Sequence, residues 1–286
     1  MARKPARVLV LGDCFGKGAL QAIAAARAGA SVTLITCFPD NERGRSHQKL
    51  LQYENVDCSR SIRRQKPRLT ENDVNDRSPT IRECDVILVS LEIPMNTVLA
   101  ALKHKRESSC TIVDADPMSS SGLPTAIYDY CRILIVNERQ FRVIADEGVR
   151  AFNPTKFRQR FCFELSAPQN HRTYNCFSMC ILVLRGSKGI ANVNGDEPVT
   201  HLELTPPVTS VDRDRFCACA AAAWATNVKD TLKFAMIGAK GYSKQATIKA
   251  LPYRDEIWTT YRSSKTLMSR TTAGLEERDG RRSQNS

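Results

Sequence analysis

Short apolar runs recur along this chain without the polar alternation of a half-exposed strand. They are Arg7-Val8-Leu9-Val10-Leu11, Ser31-Val32-Thr33-Leu34-Ile35, Asp85-Val86-Ile87-Leu88-Val89, Cys110-Thr111-Ile112-Val113, Arg132-Ile133-Leu134-Ile135-Val136 and Cys180-Ile181-Leu182-Val183-Leu184. Continuous apolar runs of this length suit strands covered on both faces, as in a parallel sheet flanked by helices. Helical stretches lie between them: an alanine-rich one after Gly18, then Met95 to Lys105, Glu138 to Glu147 and Phe216 to Lys229. The alternation predicts an α/β fold, doubly wound, with a mainly parallel sheet and helices on both faces. Residues 41–82 interrupt the pattern, being polar, arginine-rich and without apolar periodicity, and read as an irregular basic segment. Residues 259–286 lack periodicity too and read as a disordered basic tail. No internal repeat is present.

Composition narrows the class. A chain of 286 residues can bury a substantial core, and its 42% hydrophobic content is ordinary for a soluble protein. No run of about 18 apolar residues could span a bilayer, and the basic start, Met-Ala-Arg-Lys-Pro-Ala-Arg, flows directly into the first strand. Eleven cysteines are an odd number, none in a C-x-x-C pair, and several sit inside apolar segments. They read as reduced thiols packed as small hydrophobes in a cytoplasmic protein, without a zinc site. The net charge of +12 concentrates in 43–82 and in the tail, where aromatic residues are scarce. Without a stacking platform that distribution argues against a nucleic-acid partner and for solvated faces, with a preference for anionic small molecules.

The first strand ends at Gly12-Asp13-Cys14-Phe15-Gly16-Lys17-Gly18 and opens straight into the alanine-rich helix. Glycines permit close approach and a helix start presents free N–H groups, so this corner suits a phosphate or a sugar. Two families use such a corner. The spacing G-x-x-x-G-x-G of Gly12, Gly16 and Gly18 is that of short-chain NAD(P) oxidoreductases. Their Tyr-x-x-x-Lys partner is found here only as Tyr261/Lys265, in the tail, and the ribose-binding acid has no clear counterpart, Asp40 lying beyond a proline.

The other resemblance runs along the chain. Gly16-Lys17-Gly18-Ala19-Leu20-Gln21-Ala22, followed by Ala24-Ala25-Ala26-Arg27-Ala28-Gly29-Ala30, resembles the sugar-binding G-G-K-G-A-N-Q-A…A-A-A-R-L-G-A segment of ribokinase. In the family's order follow Asn55-Val56-Asp57, Leu91-Glu92-Ile93-Pro94, Val136-Asn137-Glu138, Gly186-Ser187-Lys188-Gly189, Asp214-Arg215-Phe216 and Leu251-Pro252-Tyr253-Arg254-Asp255-Glu256. Residues 1–258 are thereby similar to the ribokinase-like α/β domain of the PfkB carbohydrate kinases. The resemblance implies ATP-dependent phosphorylation of a sugar hydroxyl, of the D-ribose class, with Asp214 as the base. It implies that Gly16, Lys17, Gly18 and Glu92 hold the sugar, while Asn137, Gly186, Ser187, Lys188 and Gly189 hold ATP, with Mg2+ bridging its phosphates.

Departures from the family pattern matter as well. Its anion-hole G-A-G-D is Val211-Asp212-Arg213-Asp214 here, and the carboxylate of its K+ loop is Val208, leaving Thr209 and Ser210 as the candidates. The glutamate of P-N-E-x-E is Gln140, and the asparagine of G-A-N is Leu20. Only three residues separate Gly12 from Gly16, so the β lid that would run there is largely missing, with the basic segment 41–82 in place of its other strands. The lid closes over the sugar and often makes the dimer contact. These losses imply impaired turnover and no lid-mediated dimer, and they keep open a catalytically inactive relative that binds nucleotide or protein. Replacing Val211 and Arg213 by glycine is expected to restore activity.

Overall fold

The computed structural model describes residues 6–145, 179–194, 199–205, 212–240 and 251–271. A ten-stranded sheet forms its centre, in the order β12-β11-β10-β9-β8-β7-β6-β1-β2-β4. From one edge run β4 (Val56–Asp57), β2 (Ser31–Ile35), β1 (Arg7–Leu11), β6 (Val86–Ser90), β7 (Cys110–Asp114), β8 (Ile133–Asn137) and β9 (Cys180–Leu184). These neighbours are all parallel. The far edge is antiparallel, through β10 (Ile190–Asn194), β11 (Val199–Thr205) and β12 (Lys265–Thr271). This is the doubly wound, mainly parallel sheet that the apolar runs predict, and the six predicted strands fall within a residue of their observed positions.

Because successive side chains point to opposite faces, each strand feeds two cores. Val8, Val10, Val86, Leu88, Ile112, Ile133, Ile135 and Leu182 face one layer. Leu9, Leu11, Ile87, Val89, Val113, Leu134, Val136 and Ile181 face the other. Each such side chain contributes roughly 1.5–3 kcal/mol by leaving water, which explains why the strands tolerate no polar face.

On the first face pack α1 (Lys17–Arg27) and α8 (Arg213–Ala225), with α9 (Thr231–Gly238) and α10 (Arg254–Ser263) outside them. Both α1 and α8 are alanine-rich, and the small side chains let the two helices approach closely over β1, β6 and β7. Gly238 allows α9 to press directly on Cys219 of α8. The opposite face carries α3 (Glu71–Asn75), α4 (Ser78–Arg82), α5 (Met95–Lys103), α6 (Ala126–Tyr130) and α7 (Glu138–Ile144).

Two sequence expectations are corrected. Residues 41–82 are ordered: α2 (Glu42–Tyr53), β4, β5 (Ile62–Arg64), α3 and α4 occupy them, and β5 pairs with β3 (Cys37–Pro39) as a separate two-stranded parallel sheet. The pattern hid α2 because only Leu51 and Gly44 of that helix are buried. Its start is fixed instead by Asn41, whose side chain accepts from Gly44 N at 2.9 Å. The tail does not begin at 259 either. Helix α10 runs to Ser263, held by Ile257 in the core and by Trp258 and Tyr261 packed edge-on against Phe234 and each other, and β12 follows it. Beyond Thr271 the tail lies outside the described residues. The described cysteines are free, most of them buried, as their apolar settings predict.

Candidate active site

Brought together at the C-terminal ends of the parallel strands are Gly12 after β1, Glu92 after β6, Asp114 closing β7, Asn137 closing β8 and the Gly186–Gly189 turn after β9. The chain winds one way from β1 to β2 and the other way to β6, so the crevice at this edge opens where the strand order reverses. Open α/β sheets bind ligands at such a point.

The glycine corner is tightly built. A Cβ on Gly12 would meet the Gly18 Cα at 2.6 Å, so β1 and the first turn of α1 touch through their backbones. Glu92 accepts from Lys17 N at 2.8 Å and Gly18 N at 3.4 Å, taking two of the free donors of α1. A side chain at Gly16 would collide with that carboxylate. Burial raises the Glu92 pKa above the ordinary glutamate value, against the pull of those two N–H groups. Glu92 is thus both a cap for α1 and a carboxylate at the mouth of the crevice.

Asp214 stands in the first turn of α8, not before the helix as the sequence suggests. The helix starts three residues early, at Arg213, because Asp212 caps it: its side chain accepts from Arg215 N at 3.0 Å. From α1, Lys17 Nζ and Gln21 Nε2 both donate to Asp214 Oδ1 at 3.1 Å. Lys17 Nζ also meets Asp116 Oδ2 at 2.7 Å, and Gln21 Nε2 donates to Asp114 Oδ2 at 2.9 Å.

These contacts belong to a closed ring of seven side chains. Asp114 pairs with Arg213, whose Nη1 donates to Gln140 Oε1 at 2.6 Å, and Gln140 Nε2 donates to Asp116 Oδ1 at 3.2 Å. Asp116 leads through Lys17 to Asp214, and Gln21 returns to Asp114. Burial pushes the Asp114 carboxyl up to about 6, with Arg213 and Lys17 pulling the other way. Burial also disfavours the charged forms of Lys17 and Asp116. Their mutual hydrogen bond and the neighbouring charges win, so Lys17 is raised and Asp116 lowered from ordinary values. Two fully buried atoms at the ring, Gln21 Oε1 and Ser90 Oγ, have no partner among the described residues. Such atoms suit an ordered water or a ligand hydroxyl.

On the neighbouring strand ends, Asn137 caps α7: its side chain accepts from Gln140 N at 2.8 Å, and its own N–H donates to Gln140 Oε1 at 3.0 Å. Register places Asn137 beside Leu184, hence beside the Gly186–Gly189 turn. That turn is tight, with Gly186 and Gly189 both at positive φ, and it leaves Ser187 and Lys188 exposed. Thr209 and Ser210, the candidates for a K+ loop, lie outside the described residues, as does Val211.

No protein-family model matches the chain. Ribokinase of Dictyostelium discoideum is 29% identical over 150 residues, covering 43% of this chain and 47% of that enzyme, so the chain matches about half of its length. Solved structures extend the likeness. A ribokinase from Arabidopsis thaliana, in complex with ribose and ATP, superposes with a TM-score of 0.68 at 16% identity, over 90% of this chain and 99% of that one. A ribokinase from Thermotoga maritima gives 0.67 at 19% identity, over 91% and 100%. The aminoimidazole riboside kinase of Salmonella enterica, with its riboside and an ATP analogue, gives 0.63 at 14%, over 89% and 99%.

The chain has the ribokinase-like fold. Within it, the sequence pointed to Gly16, Lys17, Gly18, Glu92 and Asp214, which the structure gathers at one place, and to Asn137 and the 186–189 turn three and four strands from β1. Sequence reasoning missed Gln21, Asp114, Asp116, Arg213 and Gln140 as a linked set. A signal existed: two acids closing an apolar strand run at the ligand-binding edge of an α/β sheet.

The structure gives position 213 a part that the family pattern does not, while Val211 lies outside the described residues. Arg213 does not intrude into the crevice as a loose side chain. Its guanidinium is the partner of the fully buried Asp114 and also donates to Ile135 O at 2.6 Å. Removing it strands a buried carboxylate.

Proposed function

We propose that the chain transfers a phosphoryl group from ATP to a hydroxyl of a small sugar of the D-ribose class. One observation carries this reading: Asp214 sits in the first turn of α8 with its carboxylate held against the glycine corner by Lys17 and Gln21. The names of the structural relatives, with ribose or a riboside and ATP bound, support the same substrates. The unpartnered Gln21 Oε1 and Ser90 Oγ support a hydroxyl-bearing ligand at the corner.

In this reading the sugar lies over Gly16–Gly18 with Glu92 accepting from one hydroxyl. Asp214 takes the proton of the reacting hydroxyl as its oxygen bonds to the γ-phosphorus, and the bond to the leaving ADP oxygen breaks. Lys17, fixed between Asp116 and Asp214, adds positive charge beside the developing one. The Gly186–Gly189 turn and Asn137 receive the nucleotide.

Magnesium does not fit as a protein-held ion. Among the described residues no group of three or more His, Cys, Asp or Glu is arranged to hold a metal, and Asp114, Asp116 and Asp214 are each paired with Lys17 or Arg213. The anion hole is weak as well, since Asp212 takes the Arg215 N–H and brings its own negative charge to the helix start. Losing one preorganised donor typically costs about 100- to 1000-fold, so turnover is slow. That same closed ring favours the second reading, a relative that binds sugar or nucleotide without turnover. ADP release with and without D-ribose, in the wild type and in Asp214→Asn, separates the two. Slow, ribose-dependent release that is lost in the variant supports phosphoryl transfer.

A further inference from the structure

Positions 140 and 213 each depart from the family pattern, with glutamine in place of glutamate and arginine in place of glycine. In the structure the two departures are one feature. Gln140 Oε1 accepts from Arg213 Nη1, while its Nε2 donates to Ala115 O at 2.9 Å and to Asp116 Oδ1 at 3.2 Å. A glutamate could make neither donation, and it would set a second negative charge against Asp116. A glycine at 213 would leave Asp114, with no solvent exposure, without its ion-pair partner, Lys17 acting on it only from a distance. Each residue is thus fitted to the acid it faces, Gln140 to Asp116 and Arg213 to Asp114, and the two meet through one hydrogen bond.

We propose that Arg213 is the resident cation of this site, a guanidinium locked among Asp114, Gln140 and Ile135 O where a divalent ion would otherwise neutralise the carboxylates. Three oxygens of the chain converge on it: Asp114 Oδ1, Gln140 Oε1 and the Ile135 carbonyl oxygen. Its side chain is 14% exposed and that of Asp114 is not exposed at all, so the pair is shielded from exchange with bulk ions. Lys17 plays the same part for Asp116 and Asp214. A metal that arrives with a nucleotide is then held by the phosphates, and no ion binds at Asp114. The inference does not depend on phosphoryl transfer, and it is tested without any nucleotide.

The experiment is a Mn2+ titration of the protein alone, followed by electron paramagnetic resonance, together with thermal unfolding. Wild type and Arg213→Lys should bind no stoichiometric Mn2+ at low millimolar metal. Arg213→Ala should acquire one Mn2+ site, and its lowered Tm should recover with millimolar Mn2+ or guanidinium. The neutral pair Asp114→Asn/Arg213→Met should unfold at a higher temperature than Arg213→Ala, a comparison that holds even if the single variant does not fold. Stoichiometric Mn2+ binding to the wild type that disappears in Asp114→Asn overturns the inference. So does a folded Arg213→Ala that gains neither metal binding nor rescue, or a double variant no more stable than the single one.

Discussion

Arg213 shows how far one side chain can mislead when judged by its place in a motif. Against a glycine-rich anion hole it reads as damage, yet its guanidinium neutralises the buried Asp114 and closes the ring through Gln140. Breaking a buried ion pair from one side costs on the order of 3–5 kcal/mol, so Arg213→Gly should lower stability by about that much and give no gain in ADP release. Chemical denaturation and the enzyme assay check the two halves. Asp114 also sets a pH dependence. Its folded pKa, about 6, lies above the 3.8 of a free aspartate, so its protonated form favours the fold. That contribution is whole below about pH 4 and lost by about pH 6. Thermal unfolding should show the stability of the wild type falling relative to Asp114→Asn as pH rises across this window, while His47, His104 and His201, whose pKa burial lowers, act the other way in both proteins. Glu92 shifts in the same direction and leaves a residual slope. Little of this was readable in sequence beyond the two acids that close an apolar strand run. The ring joins residues 21, 114, 140 and 214, and only the fold brings those side chains within hydrogen-bond reach.

Elements were far more legible. Strands β1, β2, β6, β7, β8 and β9 announce themselves because burial on both faces leaves no room for polar residues. Helix α1 is legible for a related reason: close approach to α8 demands alanine. Helix α2 was not, since it rests on a cap and one leucine, and α10 was not, since three residues anchor it in an otherwise polar stretch. The same packing logic gives a test at the glycine corner. Gly18 has the backbone of Gly12 and Asp13 within 3 Å of where a Cβ would stand. Gly18→Ala should cost about 1–3 kcal/mol by overpacking and push the first turn of α1 away from β1. Because Lys17 and Gln21 ride on that turn, loss of ribose-dependent turnover should exceed what the stability loss explains. A variant with unchanged turnover and an unchanged melting temperature would show that the corner is not tight.

At the scale of the molecule, seven parallel strands deliver their C-terminal ends to one edge, and every candidate group described there belongs to it. Two helices on one face supply the groups that meet there: α1 brings the cation and amide, α8 the carboxylate. The chain has the ribokinase-like scaffold; three of its departures from the family pattern, Asp212, Arg213 and Gln140, lie around the first turn of α8, while Leu20 and the short Gly12–Gly16 segment lie at the glycine corner. The proposed phosphoryl transfer is accordingly expected to be slow. Ribose-dependent ADP release by wild type and Asp214→Asn, measured on folded protein with ATP, tests this most directly. The predicted result is slow release that requires D-ribose and falls by about 100- to 10,000-fold in the variant, the range of a lost general base. Release at the same rate in both proteins, or release indifferent to D-ribose, would contradict it.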